Sequence, residues 1–489
     1  MKKKIKLLAG IPNDENRDYL PEELKESEIV VNENGNNSQV YPKNLKEMKE
    51  CLIDDIEDIW YEYVPDSYDP TKKTPLVFSM HGGLMTGWGQ CIYTSWSHVA
   101  DREGFIVVYP NAHSNRIWQV EFERKFLKLL TTKNDAGFSM HDFPDDISKN
   151  NDARIVFLLL EKMKAKYNID EERIYMQGMS MGNAMTTTMA RHYGNRFAAM
   201  AGSAGPSTIG LLFDEHDNPI NEGGPVVAWQ ARMEFDQAPI GSEASIEDIV
   251  VKNREYWLRI NGCNKLPMIK IDGESNFAFY CGERADYVFR DVKNRDHGQT
   301  FDEAELVWDY LFSGTRRAAD GNVAYMESVL KREGDEVSFA IGNDCTYAWV
   351  NNQKIEMPAK SMMWQKLKYH GLQGDAKVRG EYCMVPTSFL AQILNASYEE
   401  KDGCAEMKLE DGRVLQFARG CIGCTVDNHV RSMLCEPIER NGMLYVSAEW
   451  FYKDILNWQV SCVQDVMYAT NHYSQLSVNM ARLIRDLLK

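Results

Sequence analysis

No stretch of this chain approaches the ~18 consecutive apolar residues that a membrane span needs. Positive charge is scarce. Lys and Arg number 55 against 72 Asp and Glu, leaving a net charge of −17. A polyanion is repelled by most of such a surface, so neither nucleic acid nor a membrane is an expected partner. Cysteine is sparse and odd in number, 11 in 489 residues, which is not the pattern of a disulfide scaffold. Cys421-Ile422-Gly423-Cys424 is a lone C-x-x-C with no second pair at zinc spacing. It reads as a turn with two ordinary thiols, and no metal or cofactor is expected. The basic start Met1-Lys2-Lys3-Lys4 lacks the apolar region of a signal peptide, because Asn13, Asp14, Glu15 and Asn16 follow almost at once. The expected compartment is the cytoplasm, or the exterior if a leader was removed.

The length implies two or three domains, and 44% hydrophobic with 26% charged residues is a globular composition. Residues 1–50 are polar and weakly periodic, and read as an N-terminal arm or a peripheral strand pair. From 51 to 318, strand-like runs alternate with helical ones. Leu76-Val77-Phe78-Ser79-Met80, Phe105–Pro110, Arg173–Gln177 and Gly224–Gln230 read as buried strands, with helical periodicity over 152–167, 246–260 and 301–312. This order predicts an α/β domain with a mostly parallel central sheet, whose ligands sit beyond the carboxyl ends of the strands. Residues 114–151 fit no compact unit and carry Trp118, Phe122, Phe126 and Phe143 among charges. They read as a substrate-covering insertion or as surface padding. Over 330–489 a weak repeat of about 60 residues pairs Met384–Asn395 with Tyr445–Asn457. It predicts a smaller C-terminal α+β domain of two units.

The chemistry centres on Gly178-Met179-Ser180-Met181-Gly182, a G-x-S-x-G between a strand and a helix. That context lifts a serine hydroxyl to the top of a sheet. The hydroxyl needs a base, and the base needs a carboxylate to hold its tautomer. His297, in Asp296-His297-Gly298, follows a strand and is the only histidine between His216 and His370. Asp236 is the favoured acid, with Glu234 as the alternative. Both follow the strand ending near Gln230. A carbonyl under attack needs N–H donors for its oxygen. Met181 supplies one. Gly83 or Leu84, in His81-Gly82-Gly83-Leu84, supplies the other, while His81 braces the loop. Trp88, Trp118 and Trp229 are candidate substrate-binding residues, with a core role an equal reading.

These residues together resemble the esterase family of polyhydroxybutyrate depolymerases and feruloyl or acetylxylan esterases, within the α/β-hydrolases. The likeness runs from about Tyr61 to Gly314. It includes Tyr63-Val64-Pro65, His81-Gly82-Gly83, Val107–Pro110, Tyr167–Asp170 and Arg173-Ile174-Tyr175. It implies an α/β-hydrolase fold and a Ser–acid–His triad. It also implies that Cys263 and Cys281 bracket a hairpin closely enough to bridge, although a reducing cytoplasm would keep them as thiols. Arg232-Met233-Glu234-Phe235-Asp236 replaces the family's H-G-x-x-D acid motif, and Gln299 stands near a position where the family often has Trp. The tail resembles the small repeated domain named after the N-terminal stalk of copper amine oxidases, on Val350–Ile355 and Val385-Pro386, and that resemblance implies no copper.

The expected function is a serine carboxylesterase acting on feruloyl or aryl, acetyl-sugar or short hydroxyalkanoate esters. Its partner is a small or oligomeric ester, with a homo-oligomer or surface partner engaged through the C-terminal domain. The rival readings are a serine peptidase or amidase, and a binding protein with an idle hydrolase core.

Overall fold

A computed structural model describes residues 4–10, 22, 25–26, 40–113, 116–123, 125, 131–132, 140–239, 242–368, 371–372 and 374–489. Most of the N-terminal arm and Phe126 lie outside these. The chain divides into two compact units. The first comprises Met1–Lys265, Phe279–Arg290 and Asn294–Arg332, and the second Leu266–Ala278, Asp291–Lys293 and Glu333–Lys489.

The first unit is built on strands β1 (Leu45–Ile53), β2 (Ile56–Tyr63), β3 (Thr74–Met80), β4 (Ile106–Pro110), β5 (Ile169–Met179), β6 (Ala199–Ser203) and β7 (Val227–Met233). A hairpin of β8 (Met268–Asp272) and β9 (Ser275–Tyr280) precedes β10 (Tyr287–Val292). The sheet order from the first edge is β1-β2-β4-β3-β5-β6-β7-β10. Strands β4, β3, β5, β6 and β7 run parallel, and β1 and β2 are antiparallel additions. β1 begins six residues before the expected domain start at 51, because Leu45 pairs with Tyr63 across the β1–β2 turn.

Every residue of β3, β4 and β6 is buried, as expected of strands covered on both faces. Leu76, Val77 and Phe78 are fully buried. Each such side chain contributes about 1.5–3 kcal/mol of transfer free energy. The helices begin where the sequence offers caps. Asn150 accepts from the Ala153 N–H to start Asn151–Lys166, and Ser245 accepts from Asp248 to start Ile246–Asn261. Gly262 closes the latter helix with φ 66°, a conformation that costs glycine nothing. The strand order, the parallel core and the strand–Ser180–helix junction are those of an α/β-hydrolase.

The second unit is mainly antiparallel. One five-stranded sheet runs Gln353–Glu356, Tyr347–Val350, Ser338–Gly342, Val466–Thr470, Gln459–Val463. A four-stranded sheet and a second five-stranded meander, from Ser397–Lys401 to His429–Ser432, complete the β structure. The two segments that resemble each other share one local order. Gly380–Pro386 leads into the helix Thr387–Ile393, and Met443–Ser447 leads into helical turns over 448–455, the first followed by the five-stranded meander and the second by two strands. Cys421 is exposed and Cys424 buried, both as free thiols. Among the described residues no helix is long and apolar enough to cross a membrane.

Candidate active site

Ser180 sits between β5 and the helix Met181–Tyr193 with φ 55° and ψ −117°. A side chain in this region is strained and must be held by its surroundings. The glycines on either side allow it. A Cβ on Gly178 would lie 2.1 Å from the Gly182 carbonyl oxygen, and one on Gly182 would lie 2.2 Å from the Met80 oxygen. The Ser180 N–H is anchored on the Ser203 carbonyl at 2.9 Å. The hydroxyl therefore stands clear of the sheet at the carboxyl ends of β3, β5 and β6.

His297 Nε2 lies 2.7 Å from Ser180 Oγ, and His297 Nδ1 lies 2.7 Å from Asp236 Oδ1. The Asp236 side chain is fully buried and the His297 side chain half exposed. Burial alone would raise the pKa of Asp236. The His297 hydrogen bond and charge, Arg232 and the Gly205 N–H outweigh it and hold the carboxyl below its ordinary value. The ionised Asp236 also accepts from the N–H groups of Gly205 and Gln237, each at 3.0 Å. An ionised acceptor at Nδ1 fixes the proton there and leaves Nε2 to accept from the serine hydroxyl. Glu234 is elsewhere. Its Oε2 accepts from the Asn294 N–H at 2.9 Å, tying the β7 loop to the loop that carries His297.

The loop after β3 is braced from below. His81 is fully buried, its Nε2 accepting from the Ala112 N–H at 3.1 Å and its Nδ1 facing the Gly82 carbonyl at 2.6 Å. That pairing makes Nδ1 the protonated nitrogen. Trp118 packs its ring 4.6 Å from the imidazole and donates Nε1–H to the His81 carbonyl at 2.7 Å. The Leu84 N–H is occupied by the Arg116 carbonyl at 2.9 Å, and the Met85 N–H faces the Gly82 oxygen. Gly83, close enough to Met181 that an added Cβ would touch its Cγ at 3.1 Å, is the loop residue facing the helix start.

Burial pushes the His81 pKa down to about 4, although the Gly82 carbonyl opposes the shift. The unfolded chain takes up this proton near pH 6.5, and the folded chain only near 4. Stability therefore falls as pH drops through that window, by about 1.4 kcal/mol per pH unit from this group, and levels off below it. Urea unfolding from pH 7 to 4.5 measures the slope. In His81→Asn it is expected to flatten by about 1 kcal/mol per unit.

A cavity of about 550 Å³ opens beside Ser180 and His297. Its walls are chiefly Val120, Phe122, Met140, Pro206, Leu211 and Phe235. The three tryptophans nominated from sequence do not line it. Trp118 and Trp229 are buried, the latter donating to Glu303 at 2.9 Å, and Trp88 is exposed on the helix Gly87–Tyr93. An indole satisfied inside the core has no face left for substrate, so core packing accounts for those two. The residues that do line the cavity come from six separate stretches, 120–122, 140, 180–191, 205–211, 235–239 and 296–297. Besides Ser180, Met181, Asp236 and His297, a sequence signal marked Phe122, which lies in the 114–151 stretch read as a substrate-covering insertion or surface padding, and Gly205-Pro206 is a turn just after a strand. Arg191, also on the wall and buried, is paired with Glu121, whose other oxygen lies 3.0 Å from His192 Nε2.

Fold and site together define an α/β-hydrolase with its serine on a strand–helix elbow. No family model matches the chain. It is 30% identical over 158 residues to a bifunctional acetylxylan esterase/xylanase of Neocallimastix patriciarum, covering 32% of this chain and 19% of that protein. It is 29% identical over 146 residues to poly(3-hydroxyalkanoate) depolymerase C of Paucimonas lemoignei, covering 30% of each. It is 29% identical over 148 residues to feruloyl esterase B of Neurospora crassa, covering 30% of this chain and 43% of that one. The matches thus span from about a fifth to less than half of these relatives. Among solved structures, an acetyl xylan esterase from Aspergillus awamori aligns over 54% of this chain and 97% of its own, at 16% identity and a TM-score of 0.38.

Proposed function

We propose that this chain is a serine carboxylesterase. The observation that carries the reading is the unbroken line Ser180 Oγ–His297–Asp236, with both contacts at 2.7 Å, at the mouth of an apolar cavity. Ser180 Oγ attacks the ester carbonyl carbon while His297 Nε2 takes its proton. The N–H groups of Gly83 and Met181 receive the developing oxyanion, each contributing about 2.7–4 kcal/mol. Gly83 is preferred to Leu84 because the Leu84 N–H already has an acceptor. The alcohol leaves with the proton from His297. His297 then draws a proton from water, which hydrolyses the acyl-enzyme and frees the acid.

The cavity favours an acyl group larger than acetyl, with aryl and short hydroxyalkanoyl groups as the candidates. A fluorophosphonate probe is expected to label Ser180, and a chromogenic series from acetyl to feruloyl esters, run beside matching anilides, assigns the acyl preference. Anilide turnover equal to ester turnover would replace this reading with an amidase.

The Arg191–Glu121 pair bears on specificity. With its charge matched, the wall suits neutral acyl chains. Glu121→Gln leaves a buried guanidinium seeking an anion. The ratio of kcat/KM for a hemisuccinate over a butyrate ester is expected to rise about tenfold in that variant, the effect of roughly 1.4 kcal/mol.

A further inference from the structure

Beneath the proposed triad runs a chain of buried amides and hydroxyls that the chemistry above does not use. Gln90 Nε2 donates to Ser79 Oγ at 3.2 Å, and Ser79 Oγ donates to Gln177 Oε1 at 2.9 Å. Gln177 Oε1 also accepts from Trp96 Nε1 at 2.9 Å, and Gln177 Nε2 donates to Gln299 Oε1 at 3.0 Å. Gln299 is held a second time, its backbone N–H donating to the Tyr93 hydroxyl at 3.0 Å. Gln90, Ser79 and Gln177 are fully buried, and Gln299 is 2% exposed. Among the described residues, Gln90 Oε1 and Gln299 Nε2 have no hydrogen-bond partner.

A core of this kind is costly. Amides in a low-dielectric interior must be paired, and an apolar filling of the same shape is commonly as stable or more so. What distinguishes the ladder is where its rungs stand. Ser79 is two residues before His81, Gln177 is three before Ser180, and Gln299 is two after His297. Ser79 and Gln177 are register partners on adjacent parallel strands, so their side chains meet without distortion. The ladder therefore joins the three loops that bring donor, nucleophile and base together. Here a glutamine reaches from the His297 loop to the strand below Ser180. Neighbouring contacts pin the same loop: Thr300 Oγ1 accepts from Arg290 at 2.9 Å, and the Phe301 carbonyl accepts from Ser95 Oγ at 2.5 Å.

We propose that Gln299 is a positioning residue, which sets the distance from His297 Nε2 to Ser180 Oγ by locking the His297 loop onto the strand that carries the nucleophile. The proposal rests on the esterase reading of Ser180. Its effect belongs in kcat, because Gln299 does not border the cavity and the substrate does not meet it.

The test compares the wild type with Gln299→Met, which removes the amide at similar size, and Tyr93→Phe, which removes only the hydroxyl facing the Gln299 N–H. Measurements are kcat and KM on one chromogenic ester, the rate of fluorophosphonate labelling, and Tm. Both variants are expected to lose about tenfold in kcat and in labelling rate with KM within twofold, since small displacements of a reacting pair are expensive. A lowered Tm with kcat and labelling within twofold of wild type would make the ladder a purely structural device and overturn the proposal. If Gln299→Met does not fold, Tyr93→Phe decides alone by the same criteria. Ser180→Ala runs alongside. Should it keep turnover, the esterase reading falls, whereas a dead Ser180→Ala with unaffected Gln299→Met and Tyr93→Phe sinks only the positioning role.

Discussion

Ser180→Ala is expected to lower kcat for any ester by a factor on the order of 10⁶, while the protein folds as before. The loss is chemical. Alanine keeps the Cβ, so the strained elbow at φ 55° and its anchor on the Ser203 carbonyl are retained, but no oxygen remains for His297 to deprotonate. A residual rate of roughly 10³–10⁴ over water is expected, because the N–H groups of Gly83 and Met181 still polarise a bound carbonyl. Initial rates with the best chromogenic ester, together with probe labelling of both proteins, measure the effect. A variant retaining more than a few per cent of wild-type turnover would move the nucleophile elsewhere.

Asp236→Asn is expected to cost about 10⁴ in kcat with little change in KM. Asp236 accepts three hydrogen bonds, from Gly205, Gln237 and His297. An amide offers one oxygen and two N–H groups, so at least one donor meets another donor. Where the amide NH₂ faces Nδ1, the imidazole proton moves to Nε2, and the ring can no longer accept from the serine. Glu234→Gln is expected to stay within about threefold, since its oxygen meets a backbone N–H on the neighbouring loop and an amide oxygen serves equally well. The pair of variants assigns the acid directly. A pH effect accompanies it. A carboxyl whose folded pKa lies below its unfolded one contributes stability that is complete above about pH 4. That stability is lost as pH falls through the folded value, and urea midpoints between pH 5 and 2.5 should fall less steeply in Asp236→Asn.

Much of the first unit and of the proposed site was legible because its signals are local. Runs such as Leu76–Met80 and Arg173–Gln177 are apolar enough to be covered strands, and the glycines at 178 and 182 mark a bend that a larger residue could not make. What escaped the sequence depends on contacts between distant segments. The cavity wall is assembled from residues near 120, 140, 187, 206 and 235, which share no periodicity, and only the first two fall in the 114–151 stretch that the sequence singled out. The aromatic residues that drew notice, Trp118 and Trp229, turned inward because each indole N–H has an internal acceptor. The buried ladder from Gln90 to Gln299 spans more than two hundred positions, and each member looks like an ordinary polar residue in its own neighbourhood.

The residue order alone determined that this chain alternates strands and helices, bears a serine on a tight bend, and carries a carboxylate and a histidine downstream in the order this fold requires. Two choices belonged to the tertiary structure. Asp236 and Glu234 stand two positions apart after one strand, and only the approach of the His297 loop selects which oxygen meets the imidazole. Gly83 and Leu84 are neighbours, and only the Arg116 carbonyl, arriving from another segment, takes one N–H out of contention. The reason is the same in both. Adjacent residues share one local conformation, and a hydrogen bond discriminates over distances of an ångström that only the packed chain defines.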